Sequence, residues 1–346
     1  MEYRNLGRTG VKASTHCLGA MMFGAWGNPD HDDCIRIIHR ALDGGINFID
    51  TADVYAQGES EEIVGKALKG RRDDVVLATK VHGQMGEGPN RSGNSRRWIM
   101  QEVESSLRRL GTDYIDLYQL HRPDLEIDIE ETLEALDDLV HQGKIRYAGT
   151  STFTGWMLMA ADAASARRAL IRFACEQPPY SIFVRQVERD VFPVTQKLGM
   201  GVIVWSPLAG GWLAGKYRRD RDVPEDSRAT RATRWGTGVA ARFDQSRPGN
   251  QRKLDLVEDL AVIADKAGMS LAHMAIAFTL SHPAVTSAII GPRTMEQLED
   301  LLGAADLRLD EATLDAIDEV VEPGTFVESA DRGWQEPWMA PAARRL

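Results

Sequence analysis

Short apolar runs that end on a polar or ionisable side chain recur along the chain. Residues 46–49 lead to Asp50, 75–79 to Lys80, and 115–120 to His121. Residues 145–149 run into Thr150, Ser151 and Thr152. Residues 171–176 lead to Gln177, 202–205 to Ser206, and 285–290 to Gly291. Runs of this kind read as strands buried on both faces, and the first polar residue marks where each meets solvent.

Segments of helical period lie between them. Residues 33–42 place Ile35, Ile38 and Leu42 on one face behind a start signal at Pro29-Asp30. Residues 95–110 begin on a capping Ser95, carry Ile99, Val103, Leu107 and Leu110 at helical spacing, and close on Gly111. Residues 60–69, 129–140, 188–198, 251–266 and 271–280 repeat the pattern.

Strand–helix alternation at this spacing means right-handed crossovers and a parallel sheet. With a short first strand near 16–20, the strand count reaches eight. Eight regular units suit a closed (β/α)8 barrel of the α/β class better than an open doubly wound sheet. Residues 2–6 and 11–14, around Gly7-Arg8-Thr9-Gly10, read as a hairpin capping one end. In such a barrel the polar strand ends gather on one rim.

Residues 1–346 therefore read as a single domain with two irregular parts. One is a long loop, 207–250, rich in glycine, proline and arginine. The other is a tail, 323–346, expected over the active-site face or in a subunit contact; its Trp334 and Trp338 argue against disorder.

Composition narrows the class. A net charge of −10 argues against nucleic acid or an anionic membrane as partner. Cys17, Cys34 and Cys175 show no paired spacing, so a disulfide framework is not expected and a reduced compartment is. No apolar run reaches ~18 residues and residues 1–5 do not resemble a signal peptide, so a cytoplasmic protein is expected. No His-Glu-x-x-His and no cysteine pair appear, so no metal is expected.

Asp50, Tyr55, Lys80 and His121 carry compatible chemistry. Tyr55 lies on the loop after Asp50 and can lean back over the rim. A phenol has an ordinary pKa near ~10, too high for easy proton exchange at neutral pH. An ammonium beside it lowers that value; Lys80 can supply it, with Asp50 holding Lys80 charged. His121 then serves as a second donor to a developing oxyanion. This set suits protonation of a carbonyl oxygen as hydride reaches its carbon.

These residues sit in longer stretches that resemble a known family. Gly45-Ile46-Asn47-Phe48-Ile49-Asp50-Thr51-Ala52-Asp53-Val54-Tyr55, with Gly58-Glu59-Ser60-Glu61 and Gly65, is similar to the aldo-keto reductase signature. So are Ala78-Thr79-Lys80, Asp116-Leu117-Tyr118-Gln119-Leu120-His121, and Trp205-Ser206-Pro207-Leu208 with Gly215-Lys216-Tyr217. The similarity extends from Leu6 to about residue 320.

The resemblance implies a (β/α)8 barrel, NADPH-dependent carbonyl reduction with cofactor binding first, and a catalytic tetrad of Asp50, Tyr55, Lys80 and His121. It implies that Ser151 and Gln177 hold the nicotinamide carboxamide and Trp205 stacks on the ring. Thr152 stands where the family commonly has asparagine. Gly19, Ala20 and Met21 fall beside the nicotinamide ribose.

Ser206, Pro207 and Leu208 fall among the cofactor-binding positions, Gly210 and Lys216 fall in a belt over the pyrophosphate, and Gly291 opens a phosphate-facing helix start. Arg293 falls where the adenosine 2′-phosphate is met, which favours NADPH over NADH. Gln297 and Asp300 fall beside the adenine. Phe23, Trp26, His82 and Arg122 are expected to line the substrate pocket. The partner is then a small carbonyl compound, and the protein a monomer or homo-oligomer.

Other readings fit less well. Residues 210–217 nearly spell a Walker A loop, but Tyr217 replaces the magnesium-binding hydroxyl and no helical pattern follows. A second rim carboxylate to serve a glycosidase is missing. A lyase using Lys80 as a Schiff base remains open, as does an NADPH-binding regulatory subunit of the same fold.

Overall fold

The computed structural model describes residues 1–220, 222–225, 227–232 and 236–345. Arg221, Asp226, Thr233, Arg234 and Trp235 of the long loop, and Leu346 of the tail, lie outside the described residues. The chain divides into two compact units: Met1–Pro178, Asp190–Trp205 and Leu280–Leu307 form the first; Pro179–Arg189, Ser206–Thr279 and Arg308–Leu346 form the second.

The first unit contains a hairpin, β1 (Tyr3–Asn5) and β2 (Lys12–Ser14), and eight further strands. These are β3 (His16–Gly19), β4 (Phe48–Asp50), β5 (Val76–Val81), β6 (Ile115–Leu120), β7 (Ile145–Ser151), β8 (Cys175–Gln177), β9 (Gly201–Val204) and β10 (Ser287–Ile290). They close as a parallel barrel in chain order, with β10 pairing to both β9 and β3. The expected (β/α)8 fold and the hairpin are both present.

Alternation along each strand fills the interior. Cys17, Phe48, Ala78, Leu117, Cys175 and Ile203 meet in one fully buried cluster, and Leu6 from the hairpin joins it. The hairpin end is pinned to the floor of the barrel, since Arg8 N donates to Gly199 O just before β9. The three cysteines are free and buried.

Helices His31–Asp43, Glu59–Ala67, Arg96–Leu110, Ile129–His141, Gly155–Arg168, Val191–Leu198 and Met295–Gly303 also belong to the first unit. Ser95 caps Arg96–Leu110 by accepting from Trp98 N, and Gly111 ends it at φ 63°, in the left-handed region that glycine adopts freely.

Several boundaries differ from expectation, three of them informatively. Residues 171–174 do not join β8, although Ala174 N still donates to Ala148 O of β7. Ile171 is tied to flanking helices instead, its N–H donating to Asp137 Oδ1 and its carbonyl accepting from Ser165 Oγ. β9 ends one residue early, at Val204, while Trp205 N still donates to Pro178 O. The helix expected from residue 188 starts at Val191, after a 3-10 turn at Gln186–Glu188.

In the second unit the loop is less irregular than its sequence. It holds a 3-10 segment Ala209–Ala214 and short helices Arg228–Ala232 and Thr237–Ala241, before the helix Pro248–Lys266 begins. The tail is anchored by charge: Asp331, almost fully buried, lies between Arg242 Nε at 2.8 Å and Lys253. No single helix among the described residues is long and apolar enough to cross a membrane.

Candidate active site

The rim residues of the first unit come together as the strand ends imply. Asp50 is the last residue of β4, Lys80 is the penultimate residue of β5, and His121 follows β6 directly. After Asp50 the chain turns through Ala52 and Tyr55, with Tyr55 N donating to Ala52 O. Ala56, Gln57 and Gly58 then take left-handed conformations at φ 49°, 57° and 97° before the helix Glu59–Ala67 begins. Two non-glycine residues in that region mark local strain, which concentrates at functional sites.

Lys80 is fully buried and spends all three of its protons. Nζ donates to Asp50 Oδ2 at 2.5 Å, to Thr51 O at 2.7 Å and to Tyr55 Oη at 3.2 Å. Burial is the largest single influence and would drive off its charge, but Asp50 and Tyr55 together more than offset that, and its pKa is held above the ordinary lysine value.

His121 lies edge-on to Tyr55, with ring centroids 5.6 Å apart and an interplanar angle of 81°. Loss of solvation, then the positive charges of Arg122, Lys80 and His82, push its pKa well below the ordinary value. The ring is therefore neutral at pH 7 and offers one N–H. A neutral imidazole beside a phenol and an ammonium can polarise a carbonyl oxygen without competing for its proton.

Of the residues expected at the nicotinamide, Gln177 lies in the barrel interior, where Nε2 donates to Asp50 Oδ1 at 2.8 Å. Ser151 Oγ donates to Gln177 O at 2.8 Å. Thr152 sits at φ 61°, a left-handed conformation in which asparagine is at ease and a β-branched residue is strained. Gly19 pairs with Asp50 across β3 and β4, and Ala20 N donates to Asp50 O. Met21 begins the following turn, and Trp205 is half-buried past β9.

Gly291 is exposed at the end of β10. Arg293 N donates to Gln297 Oε1 at 2.8 Å, and Gln297 N to the capping Thr294 Oγ1. Asp300 is exposed on the same helix.

The expected pocket residues divide. Trp26 lies 6.0 Å from the Tyr55 ring, centroid to centroid. His82 Nδ1 is 3.0 Å from Asn94 Oδ1, and Asn94 Nδ2 donates to Arg122 O, so these three form a chain beside His121. Phe23 has no exposed surface and packs in the core.

In the second unit, Ser206 takes φ 63° and its Oγ accepts from Arg242 Nη2 at 3.2 Å. Pro207 and Leu208 lead into the 3-10 segment, where Ala209, Gly210 and Gly211 are left-handed in turn. Lys216 N donates to Gly211 O, and Tyr217 Oη to Gly210 O. Tyr217 is buried between Trp212 and Phe243, a packing role that a Walker A hydroxyl would not have.

With this geometry in hand, the chain's relatives are informative. Residues 17–322 match the Aldo/keto reductase family. The chain belongs to this family. It is 39% identical to an uncharacterized oxidoreductase, YrpG, of Bacillus subtilis, over 96% of this chain and 99% of that one. It is 37% identical to a probable voltage-gated potassium channel subunit beta of Arabidopsis thaliana, covering 93% of this chain and 97% of that one. It is 34% identical to the versiconal hemiacetal acetate reductase of Aspergillus parasiticus, over 93% and 98% respectively. Family membership and the two relatives named as oxidoreductase and reductase make this protein an oxidoreductase by class, in a family whose members act on small molecules and generally use nicotinamide cofactors.

Two buried polar residues escaped the sequence reading, and one of them, Gln119, is at the site. Gln119, on β6, donates through Nε2 to Asp50 Oδ1 at 3.1 Å. It stands two residues before His121, and that spacing puts both side chains on one face of the strand, which was the available signal. Glu176, on β8, accepts from Phe153 N at 3.2 Å and from Thr150 Oγ1. Burial raises its pKa to about 8.

Proposed function

We propose that this protein reduces an aldehyde or ketone to the alcohol with NADPH, reversibly, with Tyr55 as the general acid. The observation that carries the reading is Lys80 within hydrogen-bonding reach of both Asp50 and Tyr55. Lys80 stabilises the phenolate left when Tyr55 gives up its proton, Asp50 holds the ammonium in place, and His121 donates its N–H to the carbonyl oxygen.

The donor set at the rim fits a nicotinamide: an amide at Gln177, a hydroxyl at Ser151 and an indole at Trp205. When bound, the cofactor supplies the hydride. We assign Thr152, Gly19, Ala20 and Met21 to its nicotinamide half. By family likeness alone, Ser206, Pro207 and Leu208 are assigned to the cofactor, Gly210, Lys216 and Gly291 to its pyrophosphate, Arg293 to the 2′-phosphate, and Gln297 and Asp300 to the adenine. Trp26, beside Tyr55, with His82 and Arg122, is assigned to the carbonyl substrate. Work as one cytoplasmic domain, as monomer or homo-oligomer, belongs to the same proposal and is supported by the charge of −10 and three free buried thiols.

A Schiff-base role for Lys80 is disfavoured, because a nucleophilic amine needs a depressed pKa and this one is raised. The relative named as a channel subunit supports a second reading, an NADPH-binding regulatory subunit with little turnover.

The test is Tyr55→Phe with a panel of aldehydes and ketones. Turnover is expected to vanish while NADPH binding, followed by fluorescence, stays near that of the parent. Full activity in the variant would sink the mechanism. Tight NADPH retention by the parent without oxidation of the cofactor would favour the regulatory reading.

A further inference from the structure

Gln119, Gln177 and Asp50 form a closed triangle of hydrogen bonds inside the barrel. Gln119 Nε2 and Gln177 Nε2 both donate to Asp50 Oδ1, at 3.1 and 2.8 Å, and Gln177 Nε2 also donates to Gln119 Oε1 at 3.1 Å. All three residues are buried.

The chemistry of Asp50 fixes both amides. A carboxylate engaged with Lys80 is acceptor-only, so each glutamine must turn its NH2 toward it. A flipped amide would set its oxygen against a carboxylate oxygen. With its NH2 on Asp50, Gln119 has only its oxygen left to face Gln177. Both protons of Gln177 Nε2 are then spent inward. Gln177 Oε1 accepts no hydrogen bond among the described residues, and it is the only polar group this side chain has left for a ligand.

We infer that Gln119 is a positioning residue: with Asp50 it locks Gln177 as a pure acceptor, so that the site selects a ligand bearing an N–H donor, the carboxamide of nicotinamide, over an isostere without one. This rests on the nicotinamide reading of the site given above. The same triangle ties ligand recognition at Gln177 to the carboxylate that holds Lys80.

The test uses the full chain and two probes, NADP+ and its 3-acetylpyridine analogue, whose acetyl group keeps the carbonyl but lacks the N–H. Affinities are measured by tryptophan fluorescence titration. In the parent protein the analogue is expected to bind roughly tenfold more weakly, the loss of one hydrogen bond onto a buried acceptor. In Gln119→Met, of similar length and without hydrogen bonds, a proton of Gln177 is released and the ratio is expected to fall toward one. A merely structural role for Gln119 would weaken both probes alike and leave the ratio unchanged.

Equal affinities in the parent, or an unchanged ratio in the variant, would overturn the inference while leaving the nicotinamide reading intact. Absence of binding by NADP+ to the parent would overturn both. Should Gln119→Met not fold, as judged by thermal unfolding, Gln119→Leu takes its place with the same two readings.

Discussion

Lys80 Nζ donates to Tyr55 Oη across 3.2 Å while its other protons are held by Asp50 Oδ2 and Thr51 O. The ammonium cannot turn away from the phenol without abandoning a buried partner. Its 4.8 Å approach to the Tyr55 ring centroid adds a second attraction of the same sign.

Removing that charge should therefore act on Tyr55 before anything else. Lys80→Met is expected to lower kcat by roughly 10²-fold or more. It should also change the pH dependence of carbonyl reduction, because the charge beside the proton donor is gone. The measurement is kcat against pH for parent and variant with one aldehyde substrate. A variant that is slower but keeps the parent's pH profile would show that Lys80 does not tune Tyr55.

His121 gives a prediction about stability. Its pKa in the folded protein lies well below the ordinary value, while the unfolded chain titrates near ~6.5. Below that pH the unfolded state binds the proton more readily, so stability is fully present above ~6.5 and declines as pH falls. His121→Asn should flatten this decline. Urea unfolding of parent and variant at pH 7.5 and pH 5 measures it; an equal loss in both would place the acid sensitivity elsewhere.

The sequence made the barrel and its polar rim legible for one physical reason. A strand buried on both faces has to be apolar, so Asp50, Lys80 and His121 stand out as its first polar residues. That rule hides polar residues that lie within the strand or close its interior, and Gln119 and Glu176 were lost this way. It also overreached at residues 171–173, which stay outside β8, with Ile171 tied to the helices on either side. Phe23 shows the same limit: a loop aromatic reads as a pocket lining, yet this one is sealed in the core. In 207–250 the short helices are fixed by polar anchors such as Asn250, whose Nδ2 donates to Ala241 O and Asp244 O, and such anchors leave no apolar period.

Glu176 yields the last prediction, with the opposite sign from His121. Its carboxyl is fully buried and its pKa is raised to about 8, chiefly by burial, against an ordinary value near ~4.3. Here the folded state binds the proton more tightly. The contribution is fully present below the unfolded pKa and is lost as pH rises through the folded one, at up to about 1.4 kcal/mol per pH unit. Glu176→Gln keeps the shape and an acceptor for Phe153 N, but has no proton to lose. The variant should therefore gain stability relative to the parent as pH rises from 5 to 8. Denaturant unfolding of both proteins across that range tests this, and a difference that does not change with pH would mean that Glu176 does not titrate there.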